Sequence, residues 1–310
     1  MEEAGEFEER NRMSRKTELG ADLKRIGYQL GGAHLTRQAR DATFSTFAKV
    51  MRERGYGIQS AAQIGGKHLQ AFAAHRAQQG IGARARANEL SHLRSVLVQV
   101  GKQGLARNPA YSNQALGIER GSRIGTKRPL PDDAIRAFQQ RTEHLGRPAI
   151  GTILELQRAL GLREAEAIRA GQTETLSRWQ RELRNHGSVR VVEGTKGGRP
   201  REVHPPNMER AVVAVQQALS ALQATKQRYL VTRANGAAAN LKEALGVYRN
   251  LCHRAQLQSH AARNAFAQER VEAYRAQGYS EREARAATSQ DLGHGDGRGR
   301  YIASVYVRSS

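Results

Sequence analysis

The most informative part of the sequence reads HAAR at residues 260–263, LGH at residues 292–294 and IASVYV at residues 302–307. His260 and Arg263 lie three positions apart, so a helix would place both side chains on the same face. An imidazole and a guanidinium on one face can bind the oxygens of a phosphodiester. Tyr306 adds a phenol that can attack the same group. This part of the chain therefore predicts chemistry on a phosphate ester.

Two segments further upstream contribute cations of the same kind. GLREAE at residues 161–166 contains Arg163 at the predicted start of a helix, and TKGGRP at residues 195–200 contains Lys196 at a predicted hairpin turn. Arginine suits the non-bridging oxygens of a phosphate because its planar fork donates in parallel and stays charged. Lysine can lose its proton, and it is therefore the better candidate for the acid that protonates a leaving oxygen.

In chain order these elements resemble the catalytic series of the tyrosine recombinases, the lambda-integrase family. The residues that carry the resemblance are Arg163, Lys196, His260, Arg263, His294 and Tyr306. The resemblance implies that both arginines and the first histidine hold the scissile phosphate, and that the second histidine supports the transition state. It also implies that the lysine protonates the leaving 5′ hydroxyl, while the tyrosine becomes joined to a 3′ phosphate.

The identity of the nucleophile leaves a choice between two tyrosines. Tyr301 follows His294 by seven residues and Tyr306 follows it by twelve, and the family's usual spacing lies between these values. The segment around Tyr306 resembles the family's aliphatic, polar, Val-Tyr pattern, and the glycine-rich residues 295–299 look like an inserted loop. We therefore expect Tyr306 to be the nucleophile, with Tyr301 as the alternative.

The composition indicates a polyanionic partner. The 310 residues include 50 Lys and Arg against 29 Asp and Glu, which gives a formal net charge of +21. Such an excess repels itself unless a partner neutralises it, and nucleic acid is the usual partner, bound with release of condensed counterions. The alternative is that these residues only solvate helix faces. We expect double-stranded DNA, with a homo-oligomer, a tetramer by the family's pattern, assembled on it.

Other classes of protein are less compatible with the sequence. We expect no metal and no small-molecule cofactor, because no Asp/Glu cluster suited to magnesium and no zinc-like Cys/His spacing accompanies the cations. The single cysteine, Cys252, excludes an intramolecular disulfide and fits a reducing compartment. The first fifteen residues do not resemble a signal peptide, and no apolar run approaches the ~18 residues of a membrane span. We expect a cytoplasmic, nucleoid-associated protein.

The periodicity divides the chain into four parts. Residues 1–28 are charged and poorly patterned, as in a frayed N-terminal arm or a short helix, and residues 29–105 show apolar positions at helical spacing. These residues match in character a helical DNA core-binding domain. Residues 106–130 have the Gly, Pro and Asn content of a linker, and residues 131–310 match the family's catalytic domain. The candidate DNA-binding residues are Arg84, Arg86, Arg94, Lys127 and Arg128.

The predicted fold is mainly α with one small β-hairpin. It combines the helical core-binding domain with a mixed α/β tyrosine-recombinase catalytic domain. Residues 188–193 alternate and are rich in β-branched side chains, and residues 201–204 can return as the partner strand. The sequence Tyr279-Ser280-Glu281 suggests an extra capped helix before residues 292–294.

Two other functions fit part of this pattern. A type IB topoisomerase uses a similar site, although the small basic N-terminal domain and the compact size favour the recombinase. A DNA-binding regulator could keep the fold without cleaving DNA, but the presence of every catalytic residue type argues against it.

Overall fold

The computed structural model describes residues 18–119, 128–195, 198–233, 235–294 and residue 302. The chain forms two compact units, Met1–Ser122 and Arg123–Ser310, which we describe separately. Helices dominate the described parts of both units, and a two-stranded antiparallel sheet lies in the second. The expected fold class, mainly α with a small β-hairpin, is confirmed. Among the described residues, no helix is both long enough and apolar enough to cross a membrane.

Helices around one apolar core form the N-terminal unit. These are α1 (residues 18–29), α2 (His34–Glu53), α3 (Gly66–Gln78), α4 (Ala83–Gln99) and α5 (Gln103–Arg107), with short 3₁₀ turns at Ala61–Gln63 and Pro109–Tyr111. Phe47 of α2 meets Phe72 of α3 edge to face, with ring centroids 5.3 Å apart. The apolar stripes of α2 and α4, which contain Phe44 and Leu93, are buried in this core, because an amphipathic helix packs its apolar face inward.

The core of this unit extends beyond residues 29–105 at both ends. Residues 18–28, which the sequence pattern assigns to a frayed arm or a short helix, are helical and bury Leu19, Leu23 and Ile26. Their i, i+4, i+7 spacing is that of an amphipathic helix, but charged residues on the other faces hide it. Residues 106–119, assigned to a linker, also belong to this unit, because Ile118 is buried in its core and Leu116 packs against it.

The C-terminal unit contains eight described helices and the hairpin. The helices are α6 (Asp132–His144), α7 (Pro148–Leu160), α8 (Glu164–Ala170), α9 (Thr173–His186), α10 (Met208–Ala224), α11 (Leu241–Arg254), α12 (His260–Ala276) and α13 (Glu281–Asp291). The chain order of these helices is interrupted by the strands between α9 and α10. Helix α7 is apolar nearly all round and lies buried at the centre of the core, as such a helix must.

The hairpin consists of β1 (Val189–Val191) and β2 (Arg201–Val203), shorter than the predicted 188–193 and 201–204. Val189 pairs with Val203 and Val191 pairs with Arg201, so these residues share one face of the sheet. The three valines on this face are buried.

Helix α9, which the sequence pattern did not indicate, carries the buried Trp179, whose indole N–H donates to the Arg190 carbonyl oxygen at 3.1 Å.

Two features of the C-terminal unit concern residues 292–294 and Ile302. The capped helix predicted from Tyr279-Ser280-Glu281 is confirmed as α13, with the Ser280 hydroxyl and the Glu283 carboxylate forming a capping box. Helix α13 ends at Asp291, immediately before residues 292–294. Ile302 is fully buried in the same core.

Candidate active site

Arg163 is positioned by the junction between α7 and α8. Gly161 ends α7 in the left-handed conformation, at φ 59°, and a Cβ there would lie 2.5 Å from the Phe266 ring. Only glycine fits without strain at such a position. Arg163 then caps α8, and its main-chain N–H and its guanidinium both donate to the Glu166 carboxylate, at 2.7 and 2.6 Å. A quarter of the Arg163 side chain remains exposed.

Glu166 is the anion at the centre of the site. Its side chain is completely buried, and Arg163, Arg201 and Arg263 surround it. Burial by itself would raise the pKa of this carboxyl. The hydrogen bonds and charge of Arg201, followed by the charges of Arg263 and Arg163, outweigh burial and hold the pKa at about 2. Glu166 is therefore ionised at any physiological pH, and it can neutralise one of the three arginines.

Arg263 lies on the first turn of α12 and is completely buried. Its two terminal nitrogens donate to the main-chain carbonyl oxygens of Gly161 and Leu292. Its Nη1 also lies 3.7 Å from the Glu166 carboxylate. His260, the first residue of the same helix, is half-buried, and the preceding Ser259 hydroxyl donates to the Glu164 carboxylate at 2.5 Å. The start of α12 is therefore tied to the start of α8.

Residues 292–294 form the turn that closes the site. The Leu292 carbonyl oxygen accepts from Arg263 and, at 3.2 Å, from Arg163. The half-buried His294 is held in the turn by its main-chain N–H, which donates to the Ser289 carbonyl oxygen at 2.9 Å. Asp291, just before the turn, accepts from Arg270 at 2.7 Å and from the Tyr274 hydroxyl at 3.0 Å. Burial, and then the Asp291 charge, raise the pKa of Tyr274 to about 12.

Arg201 is a member of the cluster that the sequence pattern did not single out. Its side chain is 7% exposed, and its two terminal nitrogens donate to the two oxygens of Glu166, each at 2.7 Å. Its Nε donates to the Asp291 carbonyl oxygen at 2.8 Å. A sequence signal did exist, because Arg201 lies two residues before the apolar Val203 in a predicted strand, so both side chains lie on the same face. An arginine on a buried face requires a buried partner.

Other predicted site residues lie outside the described residues. These are Lys196, Lys127 and both candidate nucleophiles, Tyr301 and Tyr306. The roles assigned to them therefore remain predictions. The nearest described residue to Tyr306 is the buried Ile302, four positions earlier in the chain.

The candidate DNA-binding arginines have different surroundings. Arg84 and Arg128 are exposed. Arg86 is half-buried and lies 3.5 Å from the Gly117 carbonyl oxygen. The half-buried Arg94 donates to the Tyr111 carbonyl oxygen at 2.7 Å and to the Asn113 side chain at 2.8 Å, and burial lowers its pKa. Arg94 thus fastens the segment that follows α5 to α4, a structural task that the sequence pattern did not indicate.

The cluster of Arg163, Arg201, Arg263 and Glu166 carries three positive charges and one negative charge. The described geometry therefore joins two of the predicted phosphate ligands, Arg163 and Arg263, through one carboxylate and one carbonyl oxygen. A preorganised group of this kind, largely removed from water, suits an anion such as a phosphodiester. Within the described residues, no group of three or more His, Cys, Asp or Glu side chains could hold a metal ion.

Two family models match the sequence. The model described as "Phage integrase, N-terminal" matches residues 13–106, and the model described as "Integrase" matches residues 117–269. The first range includes helix α1, and the second ends before the turn at 292–294. No protein with a curated description matches the sequence.

Solved structures show the same fold. A lambda integrase dimer bound to a COC′ core site matches with a TM-score of 0.61 and 13% identity, over 94% of this chain and 79% of that chain. A lambda integrase tetramer bound to a Holliday junction matches with a TM-score of 0.60 and 14% identity, over 94% and 78%. The Tn1549 transposon integrase in complex with transposon right end DNA matches with a TM-score of 0.61 and 13% identity, over 93% and 96%.

The two family models together cover most of the chain, and they define the class of protein as an integrase. The chain belongs to the phage integrase family of tyrosine recombinases. Site-specific DNA recombination is the function that this membership supports.

Proposed function

We propose that the protein cuts and rejoins double-stranded DNA through a 3′-phosphotyrosine intermediate. The proposal assigns the scissile phosphate to Arg163, Arg263 and His260. Lys196 acts as the acid, and Tyr306 acts as the nucleophile. His294 supports the charge that develops on the phosphoryl oxygens. The last three assignments follow the family's pattern, and Lys196 and Tyr306 lie outside the described residues.

One observation carries the proposal: Arg163 and Arg263, far apart in the chain, converge on the Leu292 carbonyl oxygen, two residues before His294. The Leu292 carbonyl oxygen accepts from both guanidinium groups. In the proposed complex with DNA, a phosphoryl oxygen accepts from them in its place. Arg163 is partly exposed and can meet a phosphate directly. Arg263 is buried, so its contact with DNA requires the exchange of its carbonyl bonds for phosphate bonds.

The reaction is a transesterification at phosphorus. The Tyr306 phenol loses its proton to solvent, and its oxygen forms a bond to phosphorus while the bond from phosphorus to the 5′ oxygen breaks. The Lys196 ammonium supplies the proton that the leaving 5′ oxygen takes up. The number of ester bonds is conserved, so a 5′ hydroxyl can reverse the step and join a new strand. Positioning and electrostatic stabilisation supply most of the rate in such a reaction.

The oligomeric state and the location belong to the same proposal. Lambda integrase is described as a dimer on a core site and as a tetramer on a Holliday junction. We assign a homotetramer on DNA to this protein as well, because exchange of two duplexes needs four cleavages. A basic protein with this task would lie with the nucleoid in the cytoplasm.

Covalent capture tests the proposal. Nicked duplexes with randomised sequence around the nick are incubated with the protein in EDTA, and detergent-resistant adducts are isolated and sequenced. We expect a recurring sequence and an adduct at the 3′ phosphate, abolished in Tyr306→Phe and retained in Tyr301→Phe. Both substitutions remove one hydroxyl and keep the ring, so each is the packing control for the other.

The alternatives predict different results. A topoisomerase would relax a supercoiled plasmid and form adducts with little preference for sequence. A regulator would bind DNA and form no adduct. An adduct on Tyr301 would move the nucleophile, whereas cleavage that requires a divalent ion and leaves no adduct would contradict the proposed chemistry.

A further inference from the structure

The Arg201 guanidinium connects three elements of the catalytic unit. Arg201 belongs to β2, its carboxylate partner Glu166 lies in α8, and its carbonyl partner Asp291 ends α13. All five N–H bonds of a guanidinium lie in one plane, and the three nitrogens of Arg201 all donate here. Such a set of contacts fixes the relative positions of the three elements.

Glu166 transmits this constraint to Arg163. Both oxygens of the Glu166 carboxylate accept from the Arg201 guanidinium. The same two oxygens also accept from Arg163, one from its guanidinium and the other from its main-chain N–H. Rotation of the carboxylate about its own axis would break bonds on both sides. The orientation of the partly exposed Arg163 therefore depends on the buried Arg201, although no direct bond between the two carries the effect.

Arg201 also constrains the turn that carries His294. It donates to the Asp291 carbonyl oxygen, and its Cδ would lie 2.9 Å from a Cβ placed on Gly293. Gly293 has a φ of 64°, which favours glycine. The Arg201 side chain therefore packs against the turn in a space that only glycine leaves open.

We propose that Arg201 is a positioning residue for the phosphate-binding arginine. It holds Glu166, and through it Arg163, in the geometry that the scissile phosphate requires. This inference rests on the proposed function, since it assumes that Arg163 binds the phosphate. Lysine cannot replace Arg201, because an ammonium offers a point charge where the site needs a planar fork.

The test compares Arg201→Lys with the unmodified protein in single-turnover cleavage of the captured duplex. We expect the cleavage rate to fall by about 10- to 100-fold, because a small displacement of a catalytic group has an effect of this order. DNA affinity should change by less than about 2-fold, because Arg201 is buried and many other cations bind the backbone.

A second substrate separates positioning from a general loss of structure. Replacement of one non-bridging oxygen at the scissile phosphate by a methyl group gives a neutral methylphosphonate, which depends much less on an arginine clamp. We expect the defects of Arg201→Lys and of Arg163→Ala to shrink together, to about 3-fold or less, on this substrate. An equal defect on both substrates would overturn the proposal and leave Arg201 a structural role alone.

Arg210→Lys is the matched control. Arg210 of α10 forms a two-pronged ion pair with Glu155, at 2.6 and 3.0 Å, in the same unit but outside the cluster. Arg210→Lys also replaces a guanidinium that donates to both oxygens of one carboxylate. It therefore shows how much of any cleavage defect comes from a loss of stability alone. We expect it to leave cleavage within about 2-fold of the unmodified protein on both substrates.

A spectroscopic measurement keeps the proposal testable if no cleavage is found. In protein labelled with ¹⁵N-arginine, a fixed guanidinium shows slowly rotating Nη groups, and Arg163→Lys identifies the Arg163 signals. We expect Arg201→Lys to abolish slow rotation at Arg163, and Arg210→Lys to preserve it. Absence of adducts in the unmodified protein would contradict the proposed function, whereas unchanged Arg163 signals in Arg201→Lys would contradict the positioning role.

Discussion

Substitution of Glu166 by glutamine tests the electrostatic account of the cluster. The change removes one negative charge and keeps the size of the side chain. In the folded protein it leaves three arginines, one of them completely buried and one 7% exposed, without their shared carboxylate. The amide also turns an N–H₂ group toward a guanidinium, so at least one hydrogen bond cannot be remade. We expect a large loss of stability confined to the C-terminal unit.

The magnitude follows from the carboxyl group itself. Its pKa falls from an ordinary value of 4.5 to about 2, which corresponds to about 3 kcal/mol. Removal of one partner from a buried ion pair typically costs about 3–5 kcal/mol. We therefore expect the free energy of unfolding to fall by about 3–5 kcal/mol, which lowers the Tm of a unit of this size by roughly 10 °C.

Trp179 provides an assay specific to the affected unit. It is the single tryptophan of the sequence, and it is completely buried in the C-terminal core. Its fluorescence during urea unfolding therefore follows this unit alone. Because the folded pKa of Glu166 is depressed, its contribution to stability is complete above about pH 4.5 and declines as the pH falls toward 2. The difference between Glu166→Gln and the unmodified protein should shrink over the same interval.

Two results would refute this reasoning. A loss below about 1 kcal/mol at pH 7 would mean that the cluster does not depend on the Glu166 charge. A difference in stability that stays constant between pH 5 and about pH 3 would mean that the lost energy comes from packing and not from ionisation.

Two further predictions concern single positions with matched controls. Gly161→Ala should destabilise the C-terminal unit by about 2–4 kcal/mol in urea unfolding, because a left-handed φ and a clash with Phe266 combine. Gly146→Ala has a similar φ of 67° with no neighbour within 4 Å, and a cost equal to that of Gly161→Ala would show that the clash contributes nothing. Arg84→Ala should reduce the salt dependence of DNA affinity by about one ion. Arg94→Ala should leave that slope unchanged and lower the thermal stability of the N-terminal unit, and the reverse pattern would show that Arg94 binds DNA.

Local patterns account for what the sequence predicts well. The start of α8 at Arg163, the pair His260 and Arg263 on the first turn of α12, and the capping box at Ser280 each depend on residues within four positions of one another. Helix periodicity and capping act at this range. The elements that bear the site could therefore be assigned from the chain alone.

The contacts that the sequence does not predict join residues that are distant in the chain. Arg201 and Glu166 are 35 positions apart, and Arg263 and Gly161 are 102 apart. Its place two residues before Val203 in the predicted strand is the one local sign that separates Arg201 from the many exposed arginines of a basic protein, and that sign does not identify its partner. The place of helix α1 in the core was hidden for a different reason, because charged side chains on its solvated faces dilute the apolar stripe of Leu19, Leu23 and Ile26.

The composition of the cluster argues for a functional origin. Buried ion pairs are often no more stable than apolar residues of the same volume, so stability alone does not favour their retention. Stability would also favour equal numbers of positive and negative groups, yet three guanidinium groups share the Glu166 carboxylate, a sum of +2 over these four side chains. Like charges at such distances repel each other, and the Glu166 carboxylate among them offsets part of that repulsion. Under the proposed function, a phosphodiester brought to the partly exposed Arg163 supplies a second anion at the edge of the cluster.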